Sequence, residues 1–164
     1  MSAQKPVIGV IGGGEASEEN LSIAQELGQH IAVRGAVLAC GGLGGIMEAA
    51  SRGASENGGT VLGFLPSDNK GDANPYVTIA VPTGLGIARN VLVVQASDVL
   101  IAFPGSYGTL SEIALALASG KTVICLPGSW DLKRIGTVDL AKFKEAFDAR
   151  QAIGLALDAI HQKP

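Results

Sequence analysis

The stretch at residues 98–128, DVLIAFPGSYGTLSEIALALASGKTVICLPG, decides the fold. Its outer segments, VLIAF and TVICL, are apolar at every position but one, short and rich in β-branched residues. Each therefore reads as a strand covered on both faces. Between them TLSEIALALASG has helical composition and ends at Gly120, a residue suited to close a helix. Strand, helix and strand joined by short turns make a right-handed βαβ unit with parallel strands.

The same alternation extends upstream. PVIGVIGGG reads as a strand and turn, followed by the helix SEENLSIAQELGQHIAVRG, with Ser17 as N-cap, Glu18 and Glu19 in the first turn and Gly35 as C-cap. AVLACGG is a second strand, GGIMEAASRGASENGG a second helix and TVLGFLP a third strand. SDNKGDANPY is the one long loop, and VTIAVPTG and LGIARNVLVVQAS are a fourth strand and its helix. Downstream of Ser129 the chain is more polar. DARQAIGLALDAIHQ reads as a closing helix capped by Asp148, while AKFKEAF fits either a strand or a helical turn. The expectation is one α/β domain over residues 1–164, a doubly wound, mainly parallel Rossmann-like sheet with helices on both faces. Ligands of such sheets sit beyond the carboxyl ends of the strands, near the point where strand order reverses.

Composition narrows the function. With 47% hydrophobic and 16% charged residues the 164-residue chain is built to bury a core. A net charge of −3 argues against a nucleic-acid or polybasic membrane surface. The polar start MSAQKP, which leads straight into a strand, and the lack of any run near the roughly 20 apolar residues of a membrane span point to a cytoplasmic protein without a signal peptide. Cys40 and Cys125 have no CxxC spacing and read as buried thiols. With only two histidines and no cluster of ligand-type residues, no metal site is expected.

Two motifs mislead. GVIGGGEAS lacks the third glycine of a dinucleotide fingerprint, where Ser17 stands, and the second strand ends without the acidic residue that would take ribose hydroxyls. SGKT, at residues 119–122, has Leu115 where a phosphate loop needs its first glycine, and it runs from helix to strand rather than from strand to helix.

The glycines mark an edge. Gly12, Gly13 and Gly14, then Gly41 and Gly42 with Gly44 and Gly45, then Gly84 and Gly86, then Gly105 and Gly108, all follow predicted strands. At that edge Thr109-Leu110-Ser111-Glu112 is either a capping box or the rim of an anion cradle. Apolar surroundings favour the cradle, because Glu112 shares a helical stripe with Leu115, Ala116 and Ser119. Arg89, the only charge in its helix, sits at the amino end, where the helix dipole disfavours a cation unless an anion is near. Arg89 and Glu112 are expected in the first turns of helices that follow adjacent strands. They form either a structural ion pair or a ligand-binding pair. The backbone amides of residues 105–109, with the hydroxyls of Ser106 and Thr109, would cradle a phosphate.

PGSYGTLSE is similar to the PGGxGTxxE motif of the Lonely-guy superfamily, once called lysine decarboxylase-like and distantly related to the DNA-processing protein A group. GGLGGIMEAASRGA and GLGIARN resemble two more of its motifs, and the likeness spans residues 7–127. Within the superfamily, ENLSIAQELGQHIAVRG, TGLGIARN and SEIALALASGKTVICL look closest to the molybdenum-cofactor carrier proteins. The resemblance implies a Rossmann-like fold, catalytic roles for Arg89 and Glu112 in members that hydrolyse nucleoside 5′-monophosphates, and a phosphate site at Gly105, Ser106, Tyr107, Gly108 and Thr109. Gly12, Gly13, Gly14, Gly41, Gly42, Gly44 and Met47 would complete the ligand contacts, although Met47 also reads as core. Tyr107 either stacks on a ring or shields the loop. Ser106, Ser111 and Asn90 depart from the hydrolases, which often carry glycine, glutamate and lysine there. The function implied is therefore binding of a phosphate-bearing nucleotide or pterin, the alternative being a phosphoribohydrolase; a decarboxylase is not supported. No cofactor is required, molybdenum cofactor or a nucleoside monophosphate being the bound ligand. Partners are that phosphorylated small molecule and further copies of the chain, a homodimer or larger, because two helices apolar on all faces exceed what one sheet covers.

Overall fold

The computed structural model describes residues 4–134 and 137–162. The first three residues, on which the reading of the polar start partly leans, lie outside this range. The elements in chain order are β1 (Val7–Ile11), α1 (Glu18–Val33), β2 (Val37–Cys40), α2 (Ile46–Glu56), β3 (Thr60–Leu65), β4 (Ile79–Pro82), α3 (Asn90–Ala96), β5 (Val99–Ala102), α4 (Tyr107–Ala118), β6 (Val123–Cys125), β7 (Phe143–Glu145) and α5 (Ala149–His161). Short 3-10 turns cover Lys70–Asp72 and Gly86–Arg89.

The seven strands form one sheet in the order β4-β3-β2-β1-β5-β6-β7, and every pair is parallel. The chain winds outward from β1 to one edge, returns through α3 to β5 beside β1, and winds to the other edge. Strand order reverses between β1 and β5, which opens a crevice at their carboxyl ends. One expectation is corrected here. β4 and β5 are not adjacent, since β3, β2 and β1 lie between them. Arg89 and Glu112 meet because α3 carries the chain back across the sheet.

Burial on both faces explains the uninterrupted apolar strands. α1, α2 and α5 pack on one face over Ile8, Val10, Leu38, Val99 and Ile101. α3 and α4 pack on the other over Ile11, Leu100, Ala102 and Val123. α1 begins as expected, with Ser17 Oγ accepting from the Asn20 amide at 3.2 Å. Arg34 holds its C-cap position, and Gly35 follows in the left-handed region at φ +70°. Asp148 caps α5 by accepting from the Gln151 amide at 2.7 Å. The segment AKFKEAF supplies β7, only three residues long and thus too short for an alternation to register.

Two details add to the sequence reading. The helices at α3 and α4 were expected to exceed what one sheet covers, and Leu85, Ile87 and Val91 do leave an apolar surface open on α3 and the turn before it. Lys121, within the misleading SGKT, caps the end of α3. Its ammonium donates to the carbonyls of Val94 (2.6 Å), Gln95 (3.0 Å) and Ser97 (2.6 Å).

Candidate functional site

The crevice floor is main chain. The Gly13 amide donates to the Pro104 carbonyl at 3.0 Å, tying the loop after β1 to the loop after β5. The Gly13 carbonyl accepts from the Ile46 amide at 3.1 Å, which ties in the start of α2. This crowding explains two glycines. A Cβ on Gly105 would lie 2.8 Å from Thr109 Cβ and 3.0 Å from the Gly13 nitrogen. One on Gly41 would lie 2.6 Å from Arg89 Nη2 and 2.8 Å from Met47 Sδ.

One wall is the amino end of α4. Ser106 takes an extended conformation as N-cap but its side chain bonds none of the helix amides. The helix therefore starts at Tyr107, two residues earlier than the sequence suggests, and Thr109 lies inside the first turn. This excludes the capping box. The amides of Tyr107, Gly108 and Thr109 have no intrahelical acceptor, and the helix dipole adds a positive field at the same place.

The charges come from two elements, Arg89 from the turn before α3 and Glu112 from α4 itself. Arg89 ends the 3-10 turn before α3, and its Nη1 stands 4.0 Å from Glu112 Oε1, the two side chains 11% and 8% exposed. Glu112 accepts no hydrogen bond among the described residues. Burial pushes its carboxyl up from 4.5 to about 7, against the opposing pull of the Arg89 guanidinium. Arg89 Nη1 donates instead to Asn90 Oδ1, and Arg89 Nε is buried with no hydrogen-bond partner among the described residues. A buried ion pair normally closes to a charge-assisted hydrogen bond of about 2.7–2.9 Å. This one stays open.

An inner cleft of about 110 Å³ is walled by Gly12, Gly13, Gly14, Gly41, Met47, Arg89, Asn90, Ser106, Gly108, Thr109 and Glu112, with Val10 and Ile11 below. Past Gly13, Gly14 and Ser106 it continues into an outer basin of about 370 Å³ that includes Gly105. The basin falls within the roughly 300–1,000 Å³ of small-ligand sites. Three sequence candidates are not on these walls. Gly42 makes a turn at φ +75°, its amide bonding Cys40 Sγ and its carbonyl the Asn74 amide. Gly44 lies near Glu48. Tyr107 is 80% exposed, its ring stacked on Trp130 at 6.4 Å between centroids. A larger hollow of about 400 Å³ lies between α1 and α2, but its charged residues, Glu18, Glu48 and Arg52, are solvent-reaching, so the buried-charge cleft is the candidate site.

One residue escaped assignment from sequence, and the bonding of another was legible only in part. Asn90 is 4% exposed and touches both Arg89 and α4. Its only signal was that it follows the arginine. Trp130 comes from the loop after β6, and its indole N–H donates to the carbonyls of Gly105 (3.0 Å) and Ser106 (3.3 Å), fixing the loop from outside. Among the described residues no group of three or more His, Cys, Asp or Glu side chains gathers as metal ligands, and no helix is long and apolar enough to cross a membrane.

The SLOG cluster4 family matches residues 5–153 of the chain. An uncharacterised protein of Archaeoglobus fulgidus is 50% identical over 119 residues, which is 73% of this chain and 78% of that protein. The molybdenum cofactor binding protein from Rippkaea orientalis has a TM-score of 0.89 at 43% identity, over 97% of this chain and 99% of its own. The Moco carrier protein from Chlamydomonas reinhardtii has a TM-score of 0.88 at 37% identity, over 98% and 100% of the two chains. DNA processing protein A from Helicobacter pylori shares the fold alone, with a TM-score of 0.68 at 20% identity over 93% and 80%.

Proposed function

The chain belongs to the SLOG cluster4 family, and from that premise we propose that it binds a phosphate-bearing small molecule and carries it without turnover. The ligand class is a phosphorylated pterin such as molybdenum cofactor, or else a nucleoside monophosphate. One observation carries the reading. Arg89 and Glu112 are buried 4.0 Å apart with hydrogen-bonding capacity left over, at a glycine-lined cleft bordered by the amino end of α4, whose first amides have no intrahelical acceptor. Buried charges that attract across 4.0 Å without a hydrogen bond between them recover little of their desolvation cost, so their persistence is best accounted for by a ligand. The phosphate would lie against the amides of Tyr107, Gly108 and Thr109 and the guanidinium of Arg89, with Gly105 and Ser106 at the rim. The ring system would extend into the outer basin along Gly13 and Gly14. A molybdenum atom would be held through the pterin rather than by protein side chains. The likeness to a molybdenum cofactor binding protein and to a Moco carrier protein supports the pterin in particular.

Mass spectrometry of the small molecule that accompanies the purified protein tests this. A phosphorylated pterin or a nucleotide agrees with it. Protein that is ligand-free and shows no affinity for any phosphate monoester refutes it.

A second reading rests on Glu112 itself. A carboxyl near 7 beside a phosphate cradle suits hydrolysis of the N-glycosidic bond of a nucleoside 5′-monophosphate. The ionised carboxylate would stabilise positive charge on the ribose and orient the water that adds to C1 as the base departs. Release of adenine from AMP, lost in Glu112→Ala, would establish it. A decarboxylase is not proposed, since among the described residues no lysine lines the cleft.

The partners proposed are the ligand and further copies of the chain, not nucleic acid, in the cytoplasm. The open apolar surface of Leu85, Ile87 and Val91 is where copies would meet.

A further inference from the structure

Asn90 is the first residue of α3 and is almost wholly buried. Its hydrogen bonds run in one direction. Ser111 Oγ donates to the Gly108 carbonyl at 2.7 Å and so presents a lone pair to Asn90. Asn90 Nδ2 donates to Ser111 Oγ at 3.1 Å and to the Gly108 carbonyl at 3.3 Å. With the amide nitrogen engaged by two acceptors on α4, the amide oxygen is left facing Arg89, whose Nη1 donates to it. Two of the three residues that depart from the hydrolase motifs, Asn90 and Ser111, are thus bonded to each other.

We propose that Asn90, held in orientation by Ser111 and Gly108, is the positioning residue that keeps Arg89 from closing onto Glu112 and so leaves the guanidinium open to an anion. Arg89 Nη1 engages a neutral oxygen in place of the carboxylate. The Arg89 to Glu112 separation stays at 4.0 Å, beyond hydrogen-bond length, and Nε has no hydrogen-bond partner among the described residues. Gly41 permits this pose, because a Cβ there would strike the guanidinium at Nη2. An arginine and a glutamate buried together close into a bidentate pair unless another group holds them. A closed pair would cancel the positive field in the cleft and fill the donors an anion needs. The inference rests on the anion-binding reading for its purpose, though not for its geometry.

Two readouts on the apo protein and its variants separate the parts. The first is the titration midpoint of Glu112, followed by carboxyl-carbon NMR. Besides Glu112, the titratable groups that share its surroundings are Arg89 and the buried thiol of Cys40. The second is the affinity for inorganic phosphate and glycerol phosphate by calorimetry. In Asn90→Leu, which keeps the volume and removes the amide, Arg89 closes on Glu112. The midpoint should then fall by about one pH unit or more and the affinity by about tenfold or more. Ser111→Ala loosens the amide without touching Arg89, and should move both quantities the same way by less. It stands in if Asn90→Leu does not fold. Rescue by Asn90→Gln, at least in part, separates positioning from packing. An unmoved Glu112 midpoint in folded Asn90→Leu, or in Ser111→Ala if that is the variant that folds, overturns the proposal. A moved midpoint in a protein that binds neither phosphate compound upholds the positioning role and removes the ligand reading instead.

Discussion

Replacing Glu112 by Gln should stabilise the protein, and only above a definable pH. The carboxyl titrates at 4.5 when exposed and at about 7 in the fold, chiefly because burial penalises its charged form. Since the folded value is raised, folding takes up a proton between those two pH values. The group's contribution is most favourable below 4.5, where it is protonated in both states, and declines as pH rises through 7. At about 1.4 kcal/mol per pH unit of displacement, the ionised carboxylate costs the fold about 3 kcal/mol at pH 8. Glutamine reproduces the shape of the protonated acid and never ionises. Other groups titrate alike in both proteins and cancel in the difference. The variant and the parent should therefore have similar stability at pH 4. At pH 8 the variant should lead by about 3 kcal/mol, or roughly 6–12 °C in Tm for a domain of this size. Urea unfolding at fixed protein concentration across this range measures it. A variant that is less stable at pH 8, or whose advantage does not change with pH, would mean that Glu112 is satisfied in the fold. The argument for a ligand would then lose its basis.

Three further outcomes follow from the same structure. Gly105→Ala places a methyl against Thr109 and the Gly13 backbone, and should cost about 1–3 kcal/mol in thermal unfolding while weakening phosphate binding about tenfold or more. Lys121→Met removes the ammonium from three carbonyls at the end of α3 and should lower stability by about 2 kcal/mol, with phosphate affinity unchanged; lost affinity would restore the SGKT motif as a phosphate site. Ile87→Glu, at a residue 70% exposed in the single chain, should shift the protein toward monomer in light scattering, whereas parent protein that is itself monomeric at micromolar concentration would dismiss the interface.

Periodicity and turn residues carried most of the fold. The apolar strands, the Ser17 and Asp148 caps and the Gly120 stop are local signals, and each does locally what its neighbours suggest. Strand order is not local, so the separation of β4 from β5 by three strands could not be read from the chain. The start of α4 was misplaced because Thr109-x-x-Glu112 has the spacing of a capping box, while the actual cap, Ser106, contributes no side-chain bond and leaves no pattern. Glu112 was legible because a carboxylate in a helix of leucine and alanine has no polar neighbour to explain it. Asn90 was not, since an asparagine after an arginine suggests a helix start and gives no hint of a partner 21 residues away on α4. The hydrogen bonds of Trp130 were similarly hidden, its acceptors lying 25 and 24 residues upstream.

Calorimetry of a phosphorylated pterin titrated into the parent protein and into Arg89→Met at neutral pH addresses the site most directly. One molecule bound per chain, with affinity falling at least about a hundredfold in the variant, is the expected result for a charge-assisted contact in a buried cleft. Equal affinity in the two proteins would place the ligand elsewhere and contradict the assignment of the cleft between β1 and β5.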